Sequence, residues 1–178
     1  MTAPTDQSQF VAAVNKPARP VPFQELRGDF LDAFCDLELA VSQWLHFLGT
    51  TPPVGAAFGN RMMELAGHGE LAARVGKNQL KYIQQLPISL TGIVETRNAL
   101  VHGVRRTGMM EGDACVFIQN IHDVVLRKRS YVAVTEAEFR ESIALVKTAA
   151  SRLDSWLRQK LNPVSSPLPP SPDAAGDP

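Results

Sequence analysis

The sequence predicts a mainly α fold: an antiparallel bundle of four to five helices with a small β-hairpin inserted before the last helix. Three observations carry this. Apolar residues recur at helical spacing from Phe30 to Leu48 and again from Phe139 to Leu157. Thr135 followed by Glu138 is a capping box that announces the last helix. Between these segments, residues 114–134 are rich in β-branched side chains and broken by turn residues.

The first helix is expected from Asp29 to Leu48. Phe30, Phe34, Leu37, Val41, Trp44 and Leu48 form its apolar face, and Gly49 with Pro52-Pro53 ends it. A second helical stretch covers Val54 to Val75, with Gly67-His68-Gly69 as a point of division. The third covers Asn78 to His102. Pro87 should kink or restart it, because proline lacks the N–H that a helix interior needs. Gly103 is read as its stop, of the glycine C-cap kind. Ala114–Gln119, Asp123–Arg129 and Tyr131–Val134 supply two or three antiparallel strands. The last helix runs from its Thr135 cap with a stripe of Phe139, Ile143, Val146, Ala150, Leu153 and Leu157.

Length bounds the rest. A chain of 178 residues suits one domain with flexible ends. Residues 1–25, with Pro4, Pro17, Pro20 and Pro22, read as a flexible lead-in that has room for a short helix over Phe10–Val14. Residues 26–161 read as the folded domain, and 162–178 as a proline-rich disordered tail. The formal net charge is zero, so any nucleic-acid binding must come from a local patch. There is no basic start with an apolar run and no stretch of about 18 apolar residues, so a cytoplasmic protein away from membranes is expected. Cys35 and Cys115 form no disulfide framework and read as small core residues. His46, His68, His102 and His122 lack the spacing of a metal site, and no glycine-rich nucleotide loop is present. No metal and no cofactor are expected.

One stretch carries chemistry: Arg97-Asn98-Ala99-Leu100-Val101-His102-Gly103. An arginine presents a fork of donors to phosphate oxygens, and a histidine moves protons near neutral pH. On a wheel of about 100° per residue, Leu90, Ile93, Val94, Leu100 and Val101 share one arc with Arg97 at its middle. Thr91, Glu95, Asn98 and His102 lie opposite, leaving Arg97 and His102 about 140° apart. An arginine on the core-facing arc needs an acidic partner. Glu38, flanking the apolar face of the first helix, is the leading candidate ahead of Asp32 and Asp36. A basic patch follows the motif: Arg105 and Arg106, then Arg127, Lys128 and Arg129, positions suited to backbone phosphates if the hairpin folds back.

The motif resembles the R-x4–6-H signature of the HEPN superfamily, with a polar residue after the arginine, late in a bundle helix and followed by one more helix. The resemblance spans residues 26–161 and implies an HEPN-like bundle. It implies a metal-independent endoribonuclease of the toxin or phage-defence type, acting on RNA as a homodimer in which paired motifs form one cleft. An antitoxin or defence-system partner belongs to the same expectation. His102 would be the acid–base residue, Arg97 would hold the scissile phosphate, and Asn98 would orient it. Glu38 and Glu95 would support the site. The alternative is a non-catalytic HEPN-like binding or dimerisation module with a regulatory role, in which Arg97 and Glu38 form a structural brace.

Overall fold

The computed structural model describes residues 22–110, 113–120 and 131–162. Within them lie six helices and three strands: α1 (Phe23–Phe47), α2 (Phe58–Gly67), α3 (Leu71–Arg74), α4 (Lys77–Ser89), α5 (Thr91–His102), β1 (Gly103–Met110), β2 (Asp113–Asn120), β3 (Val132–Thr135) and α6 (Glu136–Leu161). The expected Phe10–Val14 helix, the Asp123–Arg129 strand and the proline-rich tail beyond Asn162 fall outside the described residues. No described helix is long and apolar enough to cross a membrane.

The core is the seam between α1 and α6. Phe30, Phe34, Leu37, Val41 and Trp44 from α1 and Phe139, Val146, Leu153 and Leu157 from α6 are buried in one cluster. Phe30 meets Phe139 edge-on, with ring centroids 5.9 Å apart. Further along, the indole Nε1 of Trp44 donates to the Leu153 carbonyl at 2.8 Å, so the largest core side chain also satisfies its one polar atom. Removing such a ring costs about 3–5 kcal/mol in a typical core.

These two contacts correct the expected antiparallel arrangement. Fourteen residues separate Phe30 from Trp44, and fourteen separate Phe139 from Leu153. Rising numbers on α1 meet rising numbers on α6, so this pair is parallel. The sheet makes that possible by carrying the chain from the end of α5 to the start of α6, beside the start of α1. By contrast, α5 runs antiparallel to α1: Arg97 faces Glu38, while Leu100 shares a groove with Phe23 and Arg27.

Other boundaries shift for identifiable reasons. α1 starts at Phe23, so the last residues of the expected lead-in are helical. Phe23 packs on Phe139 at 6.1 Å, and the Pro22 carbonyl accepts from the Leu26 N–H at 3.0 Å. The second stretch divides at Gly67-His68-Gly69 as its glycines predict, and His68 ties the junction down through Thr50 Oγ1 at 3.0 Å. Pro87 lies inside α4, and after the single residue Leu90 the helix restarts at Thr91. Leu90 donates to Leu86 and accepts from Val94, so this one residue bridges the break between the two helices. These divisions raise the helix count from the expected four to five to six. The capping box forms as read, with Glu138 N–H donating to Thr135 Oγ1 and Thr135 N–H donating to Glu138 Oε2.

The insert is a three-stranded antiparallel sheet in the order β1-β2-β3; β2 and β3 fall on two of the expected strands, whereas β1, directly after α5, was not expected. Its first strand begins directly at Gly103, which pairs with Asn120, and Gly108 pairs with Cys115. Gly103 is not a left-handed cap, since its φ is −99°. It is glycine for space: a Cβ there would collide with the Ala99 carbonyl oxygen and lie 2.6 Å from Ile118 Cγ2. Cys115 is buried as expected, but Cys35 is exposed, because it falls off the stripe defined by Phe34, Leu37 and Val41.

Candidate functional site

Glu38 sits one helical turn beyond Phe34 and one turn before Ser42, so all three lie on one edge of α1. Across from them run Arg97 on α5 and Arg61 on α2. Arg97 Nη2 donates to Glu38 Oε1 at 3.0 Å. Arg61 Nη2 donates to the other oxygen, Oε2, at 3.3 Å, and its Nη1 donates to Ser42 Oγ at 2.8 Å. One carboxylate thus holds two guanidiniums from two other helices.

Aromatic rings complete the cluster. The Arg97 guanidinium lies over Phe34 at 5.5 Å and that of Arg61 over Phe58 at 5.8 Å. Phe34 and Phe58 meet edge-on at 4.9 Å, so each cation rests on a ring that the other ring supports. The charged side chains are neither buried nor free: Arg97 is 28% exposed, Arg61 20% and Glu38 22%. Two cations against one anion leave the cluster with a net positive charge, which is what an incoming phosphate would meet.

The expected partner of Arg97 is therefore the one observed. Asp32 and Asp36 are exposed and form no ion pair among the described residues. Asn98 accepts from Arg97 Nη1 at 3.3 Å through its side-chain oxygen, a bond between sequence neighbours that orients the fork. Glu95 lies on the exposed arc and takes no part in the cluster.

Arg61 was not legible as a member. Its signal was its place beside the Phe58–Met62–Leu65 stripe, the same edge position on α2 that marked Glu38 on α1.

His102 is exposed at the end of α5 and forms no hydrogen bond or ion pair among the described residues. Thr91, Glu95 and Asn98 are exposed with it, as the wheel predicts. Five residues of helix rise by roughly 7.5 Å. With the angular offset, a single chain keeps the imidazole away from the Arg97 cluster. The flanking valines stand out: Val101 is 44% exposed and Val104 42%. Val101 lies within the apolar arc of the wheel, yet the described residues leave nearly half of it exposed.

Of the basic patch, Arg105 and Arg106 lie on β1. Arg127, Lys128 and Arg129 lie outside the described residues. No group of three or more His, Cys, Asp or Glu gathers for a metal ion among the described residues. The chain matches no protein-family model, no curated protein and no solved structure at a significant level.

Proposed function

We propose that the protein is a metal-independent endoribonuclease of the HEPN type that works as a homodimer. The observation that supports this best is the Arg97 cluster. Glu38 orients an arginine fork without neutralising the site, about one and a half helical turns from an exposed histidine that has no partner among the described residues. RNA brings its own nucleophile, the 2′-hydroxyl. His102 takes or returns the proton, a role worth roughly 10²–10⁴-fold. Arg97 holds the phosphate oxygens and stabilises the charge that builds on the pentacovalent phosphorus, with Asn98 fixing its orientation. The products are a 2′,3′-cyclic phosphate and a 5′-hydroxyl end.

The separation of Arg97 and His102 within one chain is the reason for a dimer. A second copy laid across the end of α5 brings one chain's histidine toward the other's arginine and covers Val101 and Val104, the exposed valines that flank His102.

A second reading has an observation of its own. The shared Glu38 joins three helices, which suits a structural brace in a non-catalytic binding or dimerisation module with a regulatory role. Both readings meet in one experiment: RNA cleavage by purified protein in EDTA, with the ends analysed for cyclic phosphate, beside His102→Ala. Cleavage by the unmodified protein alone supports the nuclease. Absence of cleavage across structured and unstructured RNAs favours the module.

A further inference from the structure

Away from Glu38, on the other side of the α5 end, a groove of about 360 Å³ opens between the start of α1, β1 and α6. Three arginines line it: Arg27 from α1 and Arg105 and Arg106 from β1. Gln24 and Thr107 also line it, together with the apolar Phe139 and Val116. Among the described residues, no carboxylate lines it. Neighbouring residues on a strand project to opposite faces, but β1 is an outer strand of the sheet, so both of its arginines can flank a groove that wraps its rim.

These arginines differ from the others described. Arg74, Arg140 and Arg158 each pair with a carboxylate one turn away, Arg61 and Arg97 share Glu38, and Arg152 lies over Tyr82. Arg27, Arg105 and Arg106 form no ion pair among the described residues. The Nε of Arg27, like that of Arg61, is buried without a hydrogen-bond acceptor among the described residues. A buried donor that lacks an acceptor is costly, and three unneutralised guanidiniums in one concavity repel each other. An anion in the groove relieves the repulsion.

We infer that this groove is a phosphate-binding site, separate from the Arg97 cluster. Planar guanidiniums match the oxygens of a phosphate in pairs, and three of them exceed what a single carboxylate needs. The phosphate can come from a free nucleotide or from the backbone of a nucleic-acid strand. The inference does not rest on the nuclease reading, since His102 and Arg97 do not line the groove.

Calorimetric titration of the full chain with inorganic phosphate, 5′-AMP and a short single-stranded DNA tests it. DNA presents backbone phosphates and, lacking the 2′-hydroxyl, is not consumed. At least one probe is expected to bind. The Arg105→Ala/Arg106→Ala double variant should weaken that binding about tenfold, the worth of one charge-assisted hydrogen bond. Arg27→Gln should do the same, and Arg158→Ala, far along α6, should not. Binding of phosphate or AMP with this pattern identifies a free-phosphate site, and binding of the strand alone identifies a backbone site. The double variant changes exposed strand positions, so it reports even if Arg27→Gln fails to fold. No binding by any probe, or equal binding by wild type and the double variant, overturns the inference.

Discussion

Arg97 on α5 and Glu38 on α1 close a 3.0 Å ion pair across 59 residues of sequence, and Arg61 on α2 occupies the carboxylate's other oxygen. The arrangement is asymmetric. Losing either arginine leaves Glu38 a partner, whereas losing Glu38 leaves two like charges facing each other.

Glu38→Gln is therefore expected to destabilise the fold by about 1–3 kcal/mol, between the values for exposed and buried pairs. Arg61→Ala and Arg97→Ala should each cost less than Glu38→Gln. The double Arg61→Ala/Arg97→Ala variant should cost more than the sum of the two, because only then is the carboxylate stranded. Urea denaturation of the four variants measures this. An additive cycle would mean that the two arginines do not share the carboxylate energetically.

His102→Ala is expected to leave stability within about 0.5 kcal/mol of wild type, since the side chain is exposed and bonded to nothing among the described residues. On the nuclease reading it abolishes RNA cleavage. Unfolding curves and cleavage assays on the same preparation separate the two effects. Cleavage at the wild-type rate would remove His102 from the mechanism.

Gly103→Ala places a methyl group against the Ala99 carbonyl and Ile118. Relief requires moving the end of α5 away from β2, and overpacking of this kind costs about 1–3 kcal/mol. On the nuclease reading, cleavage should fall along with the melting temperature, because Arg97 and His102 lie on that helix. Gly28→Ala, where a Cβ meets nothing within 4 Å, is the matched control.

The cysteines should differ sharply toward a thiol reagent. Cys35 is exposed and should react at once. Burial pushes the Cys115 thiol above its ordinary pKa, and the Glu138 and Asp113 carboxylates push it the same way. It should react only when the fold opens. The thiol is thus easier to ionise in the unfolded chain than in the folded one. The stability this contributes is complete below the unfolded pKa of about 8.5 and is lost as pH rises through the higher folded value. Cys115→Ala should flatten that alkaline decline in a pH series of unfolding curves.

Local order was legible wherever a short-range rule acts alone. The Thr135–Glu138 capping box, the helix restart just after Pro87, the Gly67-His68-Gly69 division and the stripes of α1 and α6 all formed as the spacing predicts. So did the pairing of Arg97, because an arginine amid apolar helix positions demands a carboxylate and Glu38 stands at the matching edge. These features depend on neighbours within a turn or two, or on the cost of leaving a charge alone.

Tertiary structure decided what short-range rules cannot reach. The parallel run of α1 beside α6 depends on where the sheet returns the chain. The need for glycine at 103 comes from the approach of β2, not from the local backbone. Arg61 enters the Glu38 cluster, and Arg27 joins Arg105 and Arg106 around one groove, only because packing brings together segments far apart in sequence. The sequence determined which groups carry charge and which faces seek cover. Only the packed chain decided which charges share a partner and which are left without one.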